Sequence, residues 1–389
     1  MQARRSHLHA SEDDQAAPLG GLGVSAFLRR HWHKRAMLAR AAMPGFNGLF
    51  DLATLRRLAA RDDVESRLVF RDGARWRVEH GPFGRAAWRA LPPRAWTLLV
   101  QGVNLHDATA DALLRRFAFI PYARLDDLMV SYAAPGGGVG PHIDSYDVFL
   151  LQGFGRRRWR YGRQRDLALR PGLPLKILKR FEPDHQVTLR PGDMLYLPPH
   201  YAHDGTAIDA CTTYSIGFRA AAASELATAF LDFLRDRVDL PGRYADPDLT
   251  PTRQPARIGP AMRRRCAGMI AGVRWNDATI AEFVGCSLSE PKPHVYFTPP
   301  KPPLSRTAFS RALASHGVAL NLRTQLLYDS HNLYVNGTAR PWPASDASML
   351  RRLADRRSLG SREGASLSAA SVALLYTWYR DGYVESTAR

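Results

Sequence analysis

Two histidines and one aspartate stand at a spacing that could hold a metal ion. His142 and Asp144 are separated by one residue in the run GPHIDSYDVF, and His203 follows in the run PGDMLYLPPHYAHDG. Two imidazoles and one carboxylate can occupy one face of an octahedral ferrous ion, which leaves other positions open to an organic co-substrate and dioxygen. We therefore predict an iron oxygenase in which these three residues are the metal ligands and the catalytic centre.

The elements around these residues are predicted to bring them together. His142 and Asp144 are two apart, so both side chains would point to the same side of one short strand. A Pro-Gly-Asp turn at 191–193 delivers the apolar strand Met194–Leu197, and two prolines end that strand shortly before His203. The third ligand is thus expected to arrive from a second strand.

The residues that precede His203 resemble the second motif of the cupin barrel, in which a strand carries the last ligand into the barrel mouth. That motif commonly has glycine at the position that His200 occupies in this chain. His200 is therefore either an alternative ligand or a residue at the rim of the site, and both interpretations stay open.

A run of arginines after the metal motif could supply a cation to the same site. The step at 153–155, Gly-Phe-Gly, predicts a hairpin or bulge, and the strand that follows it at 156–160 would return alongside His142. The far carboxylate of 2-oxoglutarate needs a fixed cation, and arginine can bind it through two hydrogen bonds. The other arginines of the run are expected to form a solvated basic edge.

Two longer stretches resemble the bacterial jumonji-type (JmjC) ribosomal oxygenases, namely VSYAAPGGGVGPHIDSYDVFLLQGFGRRRWRYG and PGDMLYLPPHYAHDGTA. The similarity extends from about residue 27 to about residue 220. It implies a mostly β catalytic core, a double-stranded β-helix (cupin/JmjC) with flanking helices. It also implies that this core holds Fe(II) through His142, Asp144 and His203 and uses 2-oxoglutarate as co-substrate together with dioxygen.

The resemblance also assigns the co-substrate residues and a substrate. The family has a lysine or arginine fifteen residues after its first histidine, which implies that Arg157 binds 2-oxoglutarate. Ser131 lies on the apolar strand Leu128–Tyr132, so its hydroxyl could reach the same carboxylate. The implied reaction is hydroxylation of the β carbon of an arginine in large-subunit ribosomal protein sixteen. That substrate comes from analogy and not from any residue of this chain.

An arginine substrate would require carboxylates and aromatic surface in the pocket. The sequence does not choose among the candidates near the metal motif, which are Asp126, Asp127, Asp147, Tyr132 and Tyr146. The glycine run at 135–141 lacks both G-x-G-x-x-G and a Lys-Ser/Thr pair, so nucleotide binding is not predicted. Its glycines are expected to let the backbone approach the substrate closely.

Composition favours a globular protein with several domains. The chain has 389 residues, of which 45% are hydrophobic, and its polar N-terminus lacks the apolar stretch of a secretory signal, so a cytoplasmic protein is expected. Cys211, Cys266 and Cys286 form no C-x-x-C motif, which argues against a zinc site or a disulfide framework. The net charge of +18 predicts contact with ribosomal RNA, unless it reflects a compositional bias toward arginine.

We predict four parts along the chain. Residues 1–20 are expected to be disordered, 21–220 to form the JmjC/cupin oxygenase domain, 221–286 to form a helical region, and 287–389 to form a winged-helix-like domain. The C-terminal prediction rests on a helix at 306–315, a hairpin at 325–335 and two final helices. An interaction or dimer-supporting role is favoured for this domain over DNA binding.

The helical region is expected to begin with Ser224 as N-cap of a helix that ends near Arg237, and to continue with a second helix over about 261–284. One apolar stripe of the first helix contains Leu226, Phe230, Phe233 and Leu234. The resemblance implies that this region forms a homodimer interface.

Two other functions stay open at this point. A related JmjC hydroxylase could act on a histidine of another ribosomal protein or on tRNA. A nonenzymatic RNA-binding ribosome-assembly factor could retain a silent cupin fold, but such a protein would be expected to have lost metal ligands that this chain retains.

Overall fold

The computed structural model describes residues 17–387. The first sixteen residues of the predicted disordered N-terminus therefore lie outside the described residues, whereas Leu19 is buried in the core of the catalytic domain. Within residues 17–387 no helix combines the length and the apolar character needed to cross a membrane.

The catalytic core is built from strands that follow one another in the first part of the described chain. The strands are β1 Met37–Ala39, β2 Ser66–Asp72, β3 Arg75–His80, β4 Trp96–Val100, β5 Leu125–Ala133, β6 Val148–Gln152, β7 Arg157–Arg163, β8 His185–Leu189, β9 Met194–Leu197, β10 Tyr201–Ala207 and β11 Cys211–Phe218. The flanking helices are α1 Val24–Arg30, α2 Leu52–Leu58, α3 Arg85–Arg89 and α4 Ala108–Arg115, with a 3₁₀ turn at Val103–Leu105.

These strands form two sheets, as a double-stranded β-helix requires. The larger sheet has the order β1-β9-β6-β11-β5-β4-β2-β3, and the smaller has the order β10-β7-β8. Every residue of β4, β6 and β9 is buried, because the larger sheet is covered by helices on one side and by the smaller sheet on the other. The predicted cupin core is confirmed.

The hairpin or bulge predicted at Gly153–Gly155 is wrong. β6 belongs to the larger sheet and β7 to the smaller sheet, so this step carries the chain from one sheet to the other. Gly155 has φ +71°, and a Cβ atom there would lie 2.1 Å from the carbonyl oxygen of Ala210, so only glycine fits the crossing. Arg157 therefore reaches the site by pairing with β10 and not by running beside His142.

The elements that carry the metal motif also differ from the prediction. His142 forms one isolated antiparallel bridge with His203, and Asp144 follows in irregular backbone, so no short strand holds both residues. The preceding glycine run ends in Pro141, which has no N–H to extend a ladder. His203 is the third residue of β10, after a turn at His200 that follows the predicted strand β9.

The helical region contains three helices, α5 Ala223–Arg235, α6 Pro260–Ile270 and α7 Asp277–Ser289. The N-cap is Ala222 and not Ser224, because the carboxylate of Glu225 accepts a hydrogen bond from the backbone N–H of Ala222. The single helix predicted over 261–284 is two helices, since Asn276 caps the second by accepting from Thr279 N. Between α5 and α6 the chain is irregular, as its proline content indicates.

The C-terminal domain has its own core of buried residues and a winged-helix arrangement. Its helices are α8 Arg306–His316, α9 Ala347–Arg356, α10 Ser361–Ala365 and α11 Ala369–Arg380, with a 3₁₀ turn at Ala344–Asp346. Its strands are β12 Val318–Leu320, β13 Leu326–Tyr328, β14 Asn332–Val335, β15 Thr338–Pro341, β16 Ser358–Leu359 and β17 Val384–Ser386. The predicted first helix and the predicted hairpin, β13 with β14, are confirmed, but three helices and three strands follow instead of two helices.

Candidate metal and co-substrate site

The three residues of the predicted metal site lie together at the mouth of the barrel. His142, Asp144 and His203 each offer one ligand atom, and these atoms all lie within 4.8 Å of one another. The rings of the two histidines are 4.2 Å apart between centroids, and Nε2 of His203 is 3.6 Å from Oδ2 of Asp144. Within residues 17–387 no other group of His, Cys, Asp and Glu side chains forms such a cluster, and His200 does not belong to it.

Both histidines are oriented by the backbone in the way that a metal ligand requires. Nδ1 of His142 lies 2.8 Å from the carbonyl oxygen of Gly140, and Nδ1 of His203 lies 2.9 Å from that of Tyr201. A carbonyl only accepts, so each Nδ1 carries the proton and each Nε2 keeps a free lone pair. The residues present therefore fit a divalent metal ion.

Burial keeps His203 in the neutral form. Its side chain is 3% exposed, and burial, together with the neighbouring His142 ring, lowers the pKa of His203 to about 4. A neutral imidazole is the form that can donate its lone pair to a metal ion.

Arg157 is a buried cation in the same cavity. It is 3% exposed, and its Nη1 atom donates to the hydroxyls of Ser131 at 3.1 Å and Thr213 at 3.3 Å. Its Nη2 atom donates to the carbonyl oxygen of Gly205 at 3.2 Å, whereas Nε has no partner. No carboxylate of the described residues forms an ion pair with Arg157. A buried guanidinium without a counter-ion is unfavourable, so this arrangement fits a carboxylate ligand.

Ser131 and Thr213 present hydroxyls from neighbouring strands, because residues 131 and 213 are register partners between β5 and β11. Ser131 is therefore where the sequence placed it, beside Arg157. Thr213 has no local signal in the sequence, since only the register between two distant strands aligns it with Ser131.

A cavity of about 470 Å³ joins the metal cluster to Arg157. Both sheets contribute to its lining, and its polar residues besides the metal cluster are Arg67, Gln101, Asp126, Asp127, Ser131, Tyr146, Arg157, Lys176, Thr213 and Ser215. A molecule in this cavity could contact the metal ion and the buried guanidinium at the same time.

The five candidates for substrate contact separate into two groups. Asp126, Asp127 and Tyr146 line the cavity. Asp147 does not, because it is fully buried, accepts a 2.5 Å hydrogen bond from the hydroxyl of Tyr196 and lies beside His33. Tyr132 also does not, because it stacks on Trp96 with ring centroids 5.5 Å apart.

Two glycines of the run, Gly137 and Gly138, lie against the backbone of neighbouring strands and not against the cavity. A Cβ atom on Gly137 would lie 2.2 Å from the carbonyl oxygen of Trp96, and one on Gly138 would lie 2.4 Å from that of Gly205. The expectation that these two glycines admit the substrate is therefore wrong. They allow the loop before His142 to pass between β4 and β10.

Comparison with known proteins agrees with the fold and with the site. A JmjC domain matches residues 112–226, and a ROXA-like winged helix matches residues 272–385. The chain is 38% identical over 320 residues to the ribosomal protein uL16 3-hydroxylase of Escherichia coli, which covers 80% of this chain and 83% of that protein. It is 39% identical over 198 residues to a probable ribosomal oxygenase of Haemophilus influenzae, across 50% of this chain and 48% of that protein.

The solved structures of the Escherichia coli ribosomal oxygenase YcfD are similar over nearly the whole chain. One of them superimposes with a TM-score of 0.83 at 33% identity and covers 94% of this chain and 98% of that chain. A second, of YcfD in complex with cobalt and 2-oxoglutarate, has a TM-score of 0.80 with the same coverage and identity. From the cupin fold, the clustered His-Asp-His residues and these similarities we conclude that the chain belongs to the JmjC-domain ribosomal oxygenases.

Proposed function

We propose that this protein is an Fe(II)- and 2-oxoglutarate-dependent protein hydroxylase, a dioxygenase that acts on the β carbon of an arginine in large-subunit ribosomal protein sixteen, uL16. The observation that carries the proposal is the cavity that contains both a metal-binding cluster and a buried arginine without a counter-ion. The relative named uL16 3-hydroxylase supports the choice of substrate.

In this proposal His142, Asp144 and His203 hold the ferrous ion through the two free Nε2 atoms and one carboxylate oxygen. The bound ion supplies the dioxygen chemistry that no amino-acid side chain can perform. The cavity beside these three residues would give the co-substrate and dioxygen access to the ion. The backbone carbonyls that accept from both Nδ1 atoms fix the ring orientation before any ligand enters.

Arg157 would bind the far carboxylate of 2-oxoglutarate. The hydroxyls of Ser131 and Thr213 hold the guanidinium in place and could turn toward the same carboxylate. The indole of Trp159 lies beside both Arg157 and His203, so it lines the cavity with apolar surface between the two polar ends.

The end of the cavity near Asp126 and Asp127 would receive the arginine side chain. Two carboxylates and the ring of Tyr146 provide the charge and the aromatic surface that a guanidinium prefers. The acidic pair also favours arginine over the alternative histidine target, because a neutral imidazole gains less from two carboxylates.

We infer a homodimer formed by the helical region, because large apolar side chains there are exposed, including Leu231 at 64%, Ile270 at 71% and Trp275 at 53%. We further infer a cytoplasmic enzyme whose basic surface contacts ribosomal RNA. We retain 21–220, 221–286 and 287–389 as the domain boundaries.

The proposal is tested by supplying the purified protein anaerobically with Fe(II) and 2-oxoglutarate and then adding air and purified uL16. We expect succinate and a uL16 peptide heavier by one oxygen atom, and His142→Ala should abolish both. Succinate without a modified peptide would support the oxygenase but overturn the substrate. Iron binding without succinate formation would overturn the proposed enzymatic activity and favour the alternative of a nonenzymatic ribosome-assembly factor.

A further inference from the structure

The acidic pair of the cavity forms ion pairs with a lysine of the chain itself. Asp126 and Asp127 lie at the start of β5, and both line the cavity. Nζ of Lys292 is 3.1 Å from Oδ2 of Asp126 and 3.4 Å from Oδ2 of Asp127. Lys292 belongs to the segment between α7 and α8, so one ammonium group from a distant part of the chain bridges the two carboxylates.

The two carboxylates need a cation in this position. Asp127 is 3% exposed, and burial raises the pKa of Asp127, whereas the nearby Lys292 ammonium opposes that rise. Arg219 lies 3.5 Å from the other oxygen of Asp126, and Gln101 donates to Asp127 at 2.7 Å. Without Lys292, the buried carboxylate of Asp127 would have a neutral amide as its closest remaining partner.

The backbone around Lys292 is restricted, but its side chain is not. Pro291 and Pro293 flank it, so its φ and ψ angles have few alternatives, and Val295 N–H donates to the Lys292 carbonyl at 2.9 Å. The side chain is 31% exposed. The ammonium could therefore swing into solvent without any change in the backbone that holds it.

We propose that Lys292 is a specificity-determining residue that occupies the acidic pair until a guanidinium replaces it. This inference rests on the proposed arginine substrate and adds a reason for its selection. A tethered ammonium has a high effective concentration at the pair, so the ammonium of a substrate lysine does not displace it. A guanidinium does, because its planar array of five donors can bind two carboxylates at once.

The test compares three peptides on one protein. The first peptide is the arginine-bearing segment of uL16. The second has lysine in place of that arginine, and the third has the neutral residue citrulline there. Dissociation constants are measured by calorimetry on protein loaded with cobalt and 2-oxoglutarate, which cannot turn over. The variants are Lys292→Met and, as the matched control, Lys301→Met, an exposed lysine of the same segment.

We expect wild-type protein to prefer the arginine peptide over the lysine peptide by about tenfold or more. Lys292→Met should bind the arginine peptide about fivefold more tightly, which corresponds to release of one partly exposed ion pair. The affinity of this variant for the lysine peptide should increase by a larger factor, so its preference for arginine over lysine should be smaller than that of the wild-type protein. The citrulline peptide and Lys301→Met should show no such change.

A second measurement uses the unmodified protein and does not depend on the folding of a variant. Acetylation of the Lys292 amine by acetic anhydride, followed by mass spectrometry, should increase when the arginine peptide is saturating. Reduced acetylation, or an arginine-to-lysine preference unchanged in Lys292→Met, would overturn the role of Lys292 alone. Failure of wild-type protein to bind the arginine peptide would overturn the proposed substrate and this inference with it.

Discussion

At the scale of single residues, the site is made of polar groups that have fewer hydrogen-bond or ion-pair partners within the protein than they could bind. The two histidines each use Nδ1 on a backbone carbonyl and leave Nε2 free. Arg157 uses Nη1 and Nη2 on uncharged acceptors and has no anion among the described residues. Buried polar groups are normally satisfied, so such deficits mark the positions that a ligand completes.

Replacement of Arg157 tests the co-substrate assignment. Arg157→Ala should weaken 2-oxoglutarate binding by about 10- to 100-fold, since hydrogen bonds to charged groups contribute about 1.5–3 kcal/mol. The measurement is calorimetric titration of cobalt-loaded protein with 2-oxoglutarate. Arg158→Ala is the matched control, because Arg158 is the next residue of β7 and points to solvent. Equal affinity in the Arg157→Ala variant and the wild-type protein would show that another group binds the carboxylate.

At the scale of elements, the pairing of β7 with β10 aligns the two halves of the site. Arg157 pairs with Ala207, Trp159 with Gly205, and Tyr161 with His203. Residues that alternate along each strand share one face, so the cation, the indole and the metal ligand all face the cavity. A slip of β7 by one residue against β10 would turn Arg157 and Trp159 away from it, while His203 stayed in place.

Gly205 is the position where this pairing is most sensitive to a side chain. A Cβ atom there would lie 2.7 Å from the Trp159 ring and 2.8 Å from Nε of Arg157. Gly205→Ala should therefore displace both side chains, cost about 1–3 kcal/mol of stability and raise the KM for 2-oxoglutarate. Urea unfolding and steady-state kinetics measure the two effects. Gly268→Ala, at a helical glycine with open space around it, should not lower stability.

At the scale of the whole molecule, the winged-helix domain is joined to the catalytic domain by polar contacts. Arg323 forms an ion pair with Asp63 at 2.8 Å and donates to Nδ1 of His106 at 3.3 Å. The hydroxyl of Tyr122 donates to the carbonyl oxygen of Asp355 at 2.8 Å. Arg323 also donates to the carbonyl oxygen of Tyr296 at 2.7 Å, so the segment that contains Lys292 is bonded to the same contact.

The contact around His106 predicts how stability changes with pH. Burial and the two neighbouring arginines, Arg61 and Arg323, lower the pKa of His106 to about 4, and the hydrogen bond from Arg61 lowers the pKa of Asp63 to about 2. Unfolded chains protonate histidine near pH 6.5, so between that pH and about 4 the unfolded state binds more protons and folding becomes less favourable as pH falls. Asp63 adds a further loss below about pH 4.

We expect the free energy of unfolding to fall by about 1–2 kcal/mol between pH 7 and pH 4.5 from His106, after allowance for solvent screening. Urea unfolding across this range measures the change. His106→Gln should remove that part of the slope, and His80→Gln, at an exposed position, should leave it unchanged. A slope that is the same in both variants would contradict the role of His106.

Local patterns along the chain were sufficient for several parts of the structure. The metal residues, Arg157 and Ser131 could be named because their types and spacing follow directly from the chemistry and from the family resemblance. The strand Met194–Leu197 and the hairpin of β13 with β14 were predicted, because turn residues and apolar runs are local signals. The homodimer, the RNA contact and the substrate remain predictions.

Other features depended on which strands become neighbours. The sequence predicts a hairpin or bulge at Gly153–Gly155, but the chain changes sheets there: β6 pairs with β9 and β11, whereas β7 pairs with β8 and β10. Thr213, Gly205 and Lys292 have no local signal, since each contacts residues that are 48 to 166 positions away. The ligand types and the cupin family could thus be recognised along the chain alone. The Thr213 hydroxyl, Gly205 and the Lys292 ammonium could be identified only in the folded molecule. Their contacts depend on which distant segments become neighbours, and the packing of the whole barrel sets that register.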